Sequence, residues 1–341
     1  MVKSVAVLGA GSWGITLAIL LFEKGFFVKV WEFEREQAEI LGKKRKLRFL
    51  PWVDIPREIE ITSSISHALE GVRLVVIALP SHVVRRVGKK MAEVSLPEDI
   101  IIVNVSKGLE DKSLLRMSQV LSEELPEKLR EQIVVLSGPS HAEEVSRKIP
   151  TTVVVASVNE KLNWEVQKFF FTPYFRVYTN PDIIGVEMGG ALKNIIAIAV
   201  GIGDGLGFGD NSKAALITRG LVEITRLGKA LGAKPATFSG LSGMGDLIVT
   251  CTSRYSRNRN FGEKIGQGKT LKKALSEIKM VVEGIRTTKA AYQLAKNYNI
   301  SMPITEEVYK VLFKNKKPSE AVTDLMLREA KPELEEDFLK M

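Results

Sequence analysis

The sequence predicts an α/β fold, with a doubly wound sheet in the first half and an all-helical domain in the second. Three observations support this prediction. Short apolar runs alternate with helical patterns over residues 5–178, a glycine-rich turn joins the first run to the first helix, and strand patterns largely stop after Tyr178. Such alternation is typical of βαβ units, whose strands run parallel.

The length of 341 residues exceeds the size at which one hydrophobic core keeps growing, so we expect two domains. Their boundary falls at Asn180-Pro181-Asp182, a turn and helix start, which gives domains 1–181 and 182–341. The net charge of +9 suggests anionic ligands. The single cysteine, Cys251, excludes an intrachain disulfide and a cysteine-cluster metal site, so no metal is expected.

We expect a cytoplasmic protein without membrane insertion. The sequence begins directly with a strand pattern and shows no signal peptide. One apolar run, 186–200 with its flanks, approaches the length of a membrane span, but Glu187 and Lys193 interrupt it. The scarcity of cysteine fits a reducing compartment.

The first strand and helix enclose a glycine fingerprint. Residues 5–8 form a short apolar run, typical of a strand buried on both faces, and the segment GAGSWG follows at once. Helical periodicity then runs over 15–24 and ends at Gly25. A second strand at 28–32 ends in an acidic residue, which completes the pattern of a Rossmann-type dinucleotide-binding fold.

Each residue of the fingerprint has a physical role. Gly9 makes the tight turn, Gly11 lets the backbone approach the pyrophosphate, and Gly14 allows close packing of helix on strand. The helix begins at Ser12 and Trp13, where free N–H groups and the positive end of the helix dipole face the phosphates.

The choice between NAD and NADP stays open and leans to NAD. Glu32 can accept the ribose hydroxyls, which favours NAD. Arg35 and the basic run 43–46 with Arg48 could instead bind a 2′-phosphate, although such a run is more often a solvated loop.

Further strands and helices alternate along the first half. Strand patterns cover 60–61, 74–79, 100–105, 133–136, 151–157 and 175–178, and helical patterns cover 64–69, 83–91, 113–123 and 162–171. In such sheets, ligands bind outside the carboxyl ends of the strands. Small residues and hydroxyls gather at three of these ends, 79–82, 104–108 and 137–142, where turn chemistry explains them all except Lys107.

The stretch 185–211 organises the second half. It is a long small-residue helix that breaks into a glycine-rich loop, with Lys193 and Asn194 inside the apolar run 186–200. Lysine is almost never fully buried without a partner. A surface lysine on an ordinary core helix is one interpretation. We favour a helix that joins the two domains and directs Lys193 into the cleft between them.

The remaining segments read as helices. One covers 212–231, with Asp210 or Asn211 as N-cap and Gly232 as C-cap, and a loop followed by a helix covers 239–250 around Asp246. Others are predicted at 270–278, 287–298, 305–313 and 318–330, and the charged end 331–341 is expected to fray.

One of these helices has an unusual first turn. Ser256 can cap a helix that reaches residue 265, which places Arg257 and Asn258 in its first turn. The helix dipole disfavours arginine there unless an anion is bound, and a phosphate matches the guanidinium fork. A solvated basic loop explains the same residues equally well.

These features together resemble the NAD(P)-dependent glycerol-3-phosphate dehydrogenases of the soluble bacterial type. The resemblance covers nearly the whole chain, and the stretch 185–221 is far more specific than the glycine fingerprint. The motifs are, in order, GAGSWG at Gly9, NVSKGLE at Asn104, SGPSHAEEV at Ser137, GVEMGGALKNIIAIAVGIGDGLGFGDNSKAALITRGL at Gly185, SGMGDLIVTCTSRYSRNRNFG at Ser242 and VVEG at Val281.

The resemblance implies reversible hydride transfer from NAD(P)H to dihydroxyacetone phosphate, giving sn-glycerol 3-phosphate for glycerophospholipid synthesis. It implies that Lys193 is the proton donor and acceptor, with Lys107 and Asp246 as its catalytic neighbours. The implied substrate contacts are Lys107, Gly138, Ser140, Lys193, Asn194, Asp246, Ser256, Arg257 and Asn258. The implied cofactor contacts are Gly9, Gly11, Ser12, Trp13, Gly14, Phe33, Lys107, Ala142, Arg257, Val281 and Glu283.

One departure from the family concerns the cofactor. Many members carry a basic residue just after the second strand, where this chain has Glu32-Phe33-Glu34. A strong NADP preference is therefore not expected. A phosphorylated small molecule is the expected partner, and a homodimer stays open.

The chemistry explains why a lysine is needed. Negative charge develops on the carbonyl oxygen during reduction, so a nearby cation stabilises the transition state more than the ground state. Lys107 and closure of the cleft would lower the pKa of Lys193, whereas Asp246 would raise it. The sequence does not set this balance.

Two rival functions stay open at this point. A related two-domain dehydrogenase could bind the carboxylate of a hydroxy acid with Arg257. A redox-sensing NAD-binding regulator could use the net charge of +9 on DNA, but no helix-turn-helix pattern supports a nucleic-acid partner.

Overall fold

The computed structural model describes residues 4–278, 280–330 and 332–333. Within them, ten strands occupy the first half of the chain: β1 (Ser4–Leu8), β2 (Phe27–Trp31), β3 (Lys46–Leu47), β4 (Leu50–Asp54), β5 (Glu60–Thr62), β6 (Leu74–Ile77), β7 (Ile101–Asn104), β8 (Ile133–Ser137), β9 (Thr151–Ala156) and β10 (Phe175–Asn180).

The α-helices follow in chain order. The first seven lie among the strands: α1 (Ser12–Glu23), α2 (Arg35–Lys44), α3 (Ile65–Leu69), α4 (Val84–Ala92), α5 (Met117–Glu124), α6 (Ala142–Val145) and α7 (Glu160–Phe170). The others follow the last strand: α8 (Ile183–Gly205), α9 (Asp210–Ala230), α10 (Pro235–Phe238), α11 (Asp246–Thr252), α12 (Arg257–Gly266), α13 (Leu271–Ile278), α14 (Glu283–Asn297), α15 (Pro303–Phe313) and α16 (Pro318–Met326).

The predicted doubly wound sheet is confirmed. Eight strands form one sheet in the order β10-β9-β8-β7-β6-β1-β2-β5, and its two faces pack against different helices. In β1, Val5 and Val7 belong to the core that contains α1 and α7, whereas Ala6 and Leu8 belong to the core that contains α3, α4 and α5. Burial on both faces explains why these strands are continuous apolar runs rather than alternating patterns.

One strand pair departs from the expected parallel sheet. Strands β8 and β9 are antiparallel, with Leu136 opposite Val155, while the other neighbours in this sheet are parallel. The connection between them contains a single helical turn, α6. So short a helix does not return the chain along the sheet as a parallel crossover requires.

The segment after β2 differs from the predicted solvated loop. Residues 35–44 form α2, and the next residues form the β3–β4 hairpin. Lys43 and Lys44 lie in the last turn of α2, where the helix dipole favours cations. Lys43 and Lys44 are exposed, as a solvated run would be, whereas Arg45 is partly buried, adopts a left-handed conformation and donates from Nη1 to the carbonyls of Pro56 and Ile59.

Several helix ends also differ from the prediction. The helix expected at 113–123 begins only at Met117, because Leu114 has a positive φ of 63° and Leu109 pairs with Arg116 in an isolated bridge. The N-cap of α9 is Gly209 rather than Asp210 or Asn211, and the helix expected at 318–330 ends at Met326. The predicted fraying of 331–341 lies outside the described residues, apart from 332–333.

The predicted long helix at the start of the second half is confirmed as α8. Its N-cap, Asp182, accepts hydrogen bonds from Gly185 N (2.9 Å), Lys234 N (2.8 Å) and Thr237 Oγ1 (2.7 Å). Among the described segments, α8 alone is long and apolar enough to cross a membrane, but most of it is buried inside the protein. It is therefore the central helix of the second core, around which α9, α11, α12, α14 and α15 pack.

Glycines bring α8 and α12 into close contact. A Cβ atom would lie 2.0 Å from Arg259 O at Gly201 and 2.2 Å from Glu263 O at Gly205. On the opposing helix, a Cβ atom would lie 2.1 Å from Ile198 O at Gly262 and 2.3 Å from Ile202 O at Gly266. A larger side chain at any of the four would force the helices apart.

Candidate active site

A cleft of about 420 Å³ lies where the carboxyl ends of β1, β6, β7 and β8 meet the second half of the chain. This position is the one at which doubly wound sheets bind ligands. The cleft is lined by Gly11, Ser12, Trp13, Phe49, Ala78, Leu79, Pro80, Val105, Ser106, Lys107, Ser140, His141, Ala142, Glu143, Lys193, Asn194, Asp246, Thr250, Tyr255, Ser256, Arg257, Asn258, Met280, Val281 and Glu283.

The glycine turn has the shape that a dinucleotide requires. Gly9 has a φ of 113°, and a Cβ atom on it would lie 2.4 Å from Ala78 O. A Cβ atom on Gly14 would lie 1.9 Å from Gly9 O, so Gly14 sets the close packing of α1 on the turn. No heavy atom lies within 4 Å of the corresponding position at Gly11, which leaves open space in front of the N-terminus of α1. The residues present therefore fit a bound pyrophosphate.

Two lysines share one carboxylate at the bottom of the cleft. Lys193, on α8, donates to Asp246 Oδ1 and to Thr250 Oγ1 (2.7 Å). Lys107, which follows β7, donates to Asp246 Oδ2 (2.7 Å) and to Gly138 O (3.0 Å). Lys193 and Asp246 are 6% and 1% exposed, so the ammonium of Lys193 lies inside the protein and not in bulk solvent.

The small residues before Lys193 make this arrangement possible. A Cβ atom on Gly190 would lie 2.7 Å from Ser137 Oγ and 3.7 Å from the Lys107 side chain. One on Gly189 would lie 2.6 Å from Ser242 O. The glycines thus let the end of β8, Lys107 and the segment before Asp246 approach α8 closely.

The surroundings of Lys193 favour its neutral form more than water does. Burial, with Lys107 as a second positive charge, lowers the pKa of Lys193 to about 8, although Asp246 acts in the opposite direction. Burial alone would raise the pKa of Asp246, but the two lysines hold it below its ordinary value. Asp246 therefore stays ionised while Lys193 can gain or lose a proton near neutral pH.

A second group of residues lies at the N-terminus of α12. Ser256 is the N-cap, accepting from Arg259 N at 3.3 Å, as predicted. Asn258 Nδ2 donates to Asn194 Oδ1 (2.9 Å), and Asn258 Oδ1 accepts from Gly284 N (2.9 Å). Arg257 is exposed, and its one hydrogen bond within the described residues runs from Nη1 to Val281 O (3.4 Å). Its guanidinium is thus available to an anion at this helix terminus.

Glu283 links the two halves beside the cleft. The Ser81 N–H donates to Glu283 Oε1 (3.0 Å), and Ser81 Oγ donates to Oε2 (2.5 Å). Burial raises the pKa of Glu283, although the Ser81 bonds oppose this shift.

The structure brings together most, but not all, of the site residues that the sequence indicated. Gly9, Gly14 and Gly138 support the cleft without lining it, since the carbonyl of Gly138 accepts from Lys107 and from Ser140 Oγ (3.0 Å). Phe33 lies outside the cleft, at the end of β2, beside Arg86 and Lys90.

The sequence reasoning missed two residues that face Lys193. Thr250 lies one turn after Asp246 in α11, and this spacing could have indicated a shared face. His141 lies between two residues already singled out, and burial, together with the positive charge of Lys193, lowers its pKa to about 4. His141 is therefore neutral at neutral pH. No cluster of three metal-ligating side chains occurs in the described part of the chain.

Comparison with known proteins gives consistent matches. The family model for the N-terminus of NAD-dependent glycerol-3-phosphate dehydrogenase matches residues 4–163, and the model for the C-terminus matches residues 182–323. A glycerol-3-phosphate dehydrogenase (NAD(P)+) of Pelotomaculum thermopropionicum is 55% identical over 337 residues, covering 98% of this chain and 96% of that protein. One of a Thermoanaerobacter species is 54% identical over 331 residues, covering 97% and 98%.

Solved structures show the same likeness. The crystal structure of glycerol-3-phosphate dehydrogenase from Coxiella burnetii has a TM-score of 0.91 at 38% identity, covering 96% of this chain and 99% of that chain.

Proposed function

Since this chain belongs to the NAD-dependent glycerol-3-phosphate dehydrogenase family, we propose that Lys193 donates and accepts the proton in its reaction. The protein is an oxidoreductase that uses NAD(P) and reduces dihydroxyacetone phosphate reversibly to sn-glycerol 3-phosphate, for glycerophospholipid synthesis. One observation supports the role of Lys193 above the others: it is a buried ammonium that shares Asp246 with Lys107 in a cleft bounded by the glycine turn.

In the proposed mechanism, the nicotinamide, when bound, supplies the hydride to the carbonyl carbon. Lys193 stabilises the negative charge that develops on the carbonyl oxygen and transfers its proton there. Asp246 orients the ammonium, and Lys107 adds a second positive charge near the same oxygen. In the reverse direction, neutral Lys193 accepts the proton of the alcohol.

The N-terminus of α12 supplies the phosphate subsite in this proposal. Arg257 and Asn258 bind the substrate phosphate, with Ser256 and Asn194 fixing the position of this turn relative to Lys193. Holding the phosphate fixes the carbonyl carbon beside the reacting groups, which lowers the entropic part of the barrier. Gly138 and Ser140 complete the substrate contacts from the end of β8.

The proposed cofactor subsite lies along the carboxyl ends of the strands. Gly9, Gly11 and Gly14 shape the turn, and the N-terminus of α1 at Ser12 and Trp13 receives the pyrophosphate. The other proposed cofactor contacts are Phe33, Lys107, Ala142, Arg257, Val281 and Glu283.

The decisive experiment is to measure oxidation of NADH and of NADPH with dihydroxyacetone phosphate and with unphosphorylated dihydroxyacetone. Turnover should depend on the phosphate, because its subsite supplies part of the binding energy. A hydroxy acid dehydrogenase would instead turn over a small 2-keto acid. Activity with such an acid, and none with dihydroxyacetone phosphate, would contradict the proposal.

The proposal also covers the organisation of the protein. A domain boundary at 181/182 is supported by the end of β10 at Asn180 and the start of α8 at Ile183. The lack of membrane insertion is supported by the burial of α8, and a cytoplasmic location is supported by the single cysteine, which fits a reducing compartment. A homodimer is supported by Met326 and Leu327, which are 79% and 78% exposed. Sedimentation at micromolar concentration tests the dimer, and a monomer mass there would contradict it.

A further inference from the structure

Two cations of α4 lie on an aromatic ring at the end of β2. The guanidinium carbon of Arg86 is 4.5 Å from the centroid of the Phe33 ring, and Lys90 Nζ is 5.1 Å from the same centroid. Phe33 is 42% exposed and packs edge-on against Trp31, with the ring centroids 6.1 Å apart. Arg86 and Lys90 are four residues apart in α4, so they lie on one face of the helix.

This position is next to the place where the ribose of a bound dinucleotide belongs. In the dinucleotide fingerprint, the acidic residue that follows the second strand binds the ribose hydroxyls, and here that residue is Glu32. Gly9 N donates to Trp31 O (2.9 Å), which fixes the glycine turn to the end of β2. Phe33 directly follows Glu32, so the two cations on its ring lie at the same end of β2 as the residue expected to bind the ribose.

The charges of Arg86 and Lys90 are not used elsewhere. Within the described residues, neither has a hydrogen-bonded or ion-paired partner, whereas the adjacent Arg85 pairs with Glu110, Glu123 and Glu124. The basic residues indicated by the sequence are less suitable. Arg35 pairs with Glu39 at 3.1 Å, and Lys43 and Lys44 lie at the far end of α2, about 12 Å along the helix from Arg35.

From this arrangement we infer that Arg86 and Lys90, held on the Phe33 ring, form the subsite for the 2′-phosphate of NADP. Glu32 binds the free ribose hydroxyl of NAD at the same place, so one site accepts both cofactors. Two unpaired cations compensate the repulsion that Glu32 and Glu34 exert on a phosphate carrying close to two negative charges. The inference deepens the proposed function and rests on it.

The test measures binding without turnover. Dissociation constants of NADH and NADPH are measured by fluorescence, and those of 5′-AMP and 2′,5′-ADP by calorimetry, for the unaltered protein, Arg86→Ala, Lys90→Ala and the double variant. Lys89→Ala is the matched control, because Lys89 is an exposed lysine of the same helix without a contact to Phe33.

We expect each single variant to weaken NADPH and 2′,5′-ADP about tenfold, which corresponds to about 1.4 kcal/mol. NADH and 5′-AMP should stay within about twofold, as should all four ligands with Lys89→Ala. Phe33→Leu should weaken NADPH more than NADH, since it removes the surface that positions both cations. The preference for 2′,5′-ADP over 5′-AMP should decrease as salt is raised.

The outcomes are distinguishable. Equal losses for NADH and NADPH, or no loss of NADPH in the double variant, would overturn the 2′-phosphate subsite while leaving the dehydrogenase assignment intact. If the unaltered protein bound neither NADH nor NADPH, the proposed function itself would fail.

Discussion

At the scale of single residues, Lys193 is the group whose removal should do most harm to the chemistry. Lys193→Met keeps the volume of the side chain but removes the proton and the charge that faces the developing alkoxide. We expect kcat to fall by about 10³-fold, within the usual range for general acid–base catalysis. NADH affinity should change by less than about twofold, which fluorescence titration measures. Turnover close to that of the unaltered protein would show that another group supplies the proton.

The pH dependence follows from the lowered pKa of Lys193. Because that pKa is about 8, the ammonium is present below pH 8 and is lost above it. Reduction of dihydroxyacetone phosphate needs the ammonium, so kcat/KM, which reports the free enzyme, should fall as the pH rises through about 8. Oxidation of glycerol 3-phosphate needs the neutral amine, so its kcat/KM should rise over the same interval.

Asp246→Asn provides the internal check on this assignment. Asp246 raises the pKa of Lys193, so replacing the carboxylate with an amide should lower that pKa. The pH at which the rate of reduction falls should therefore be lower in the variant. Stopped-flow rates under single-turnover conditions report this shift separately from product release. If the rate of reduction fell at the same pH in both proteins, the titrating group would not be Lys193.

Replacement of Arg257 should weaken substrate binding rather than proton transfer. Arg257→Ala should raise the KM for dihydroxyacetone phosphate about 10- to 100-fold, because a charged hydrogen bond to phosphate is lost, with a smaller effect on kcat. Arg130→Ala is the control, since Arg130 is an exposed arginine that pairs with Glu127 and does not line the cleft. A loss of equal size with unphosphorylated dihydroxyacetone would refute the phosphate contact.

The sequence indicated which individual residues carry the chemistry, but it did not indicate which residues contact them in the fold. Lys193, Lys107 and Asp246 stood out because each is a charged residue in a small-residue or apolar setting. Their actual contacts depend on how α8 crosses α11, which no local pattern encodes. Thr250 and His141 were missed for that reason, since a threonine in a helix and a histidine after a turn have ordinary structural explanations.

At the scale of elements, the crossing of α8 and α12 determines the distance between Lys193 and the phosphate subsite. Gly262→Ala should separate these helices, because the new Cβ atom would lie 2.1 Å from Ile198 O. We expect a loss of about 1–3 kcal/mol in the free energy of unfolding, measured by urea denaturation. The KM for dihydroxyacetone phosphate should rise as well.

Gly203→Ala is the matched control for that substitution. Gly203 lies in α8, the other helix of the pair, but the nearest atoms to its new Cβ would be 3.9 Å away, which is ordinary contact. Its stability should change little or even increase, since alanine is the better helix former. Equal destabilisation by both alanines would mean that the helix crossing is not the cause.

Periodicity predicted the elements that are buried on one or two faces and failed where tertiary contacts decide. The strands of the sheet and the long helix α8 were predicted because their apolar patterns are strong. Helix α2 was missed because Ala38 is its only fully buried residue, so its pattern is almost entirely polar. The antiparallel pairing of β9 was missed because strand direction depends on the connection, not on the strand's own residues.

At the scale of the whole molecule, buried carboxylates of the second half bind the first half. Glu187 on α8 pairs with Arg116 and accepts from Ser118 N (2.8 Å) and Ser118 Oγ (2.5 Å). Together with the contacts of Glu283 to Ser81, this pair fixes how the sheet and the helices lie on either side of the cleft.

Glu187→Ala should therefore destabilise the protein strongly. It leaves the mostly buried guanidinium of Arg116, whose side chain is 13% exposed, without its carboxylate, and breaking such a pair costs about 3–5 kcal/mol in the free energy of unfolding. Glu98→Ala is the control, because its pair with Lys128 is exposed and should be worth less than about 1 kcal/mol. Urea denaturation followed by circular dichroism measures both. Similar small effects would show that Glu187 does not hold the two halves together.

The overall two-part organisation was readable from the loss of strand patterns after Tyr178, but the contacts across the cleft were not. Glu187 and Arg116 are far apart in the chain, and Arg116 was expected inside a helix that in fact begins one residue later. Pairings of this kind follow from the packed structure alone.

The glycine-lined crossing of α8 and α12 sets the length of substrate that the active site can hold. Lys193 is on one helix and Arg257 is on the other, and the backbone-to-backbone contact at the four glycines fixes how far apart their Cα atoms lie. Only the exposed side chain of Arg257 can adjust to a substrate of different length, so a compound one carbon longer or shorter between phosphate and ketone should bind with its carbonyl displaced from Lys193 and turn over more slowly.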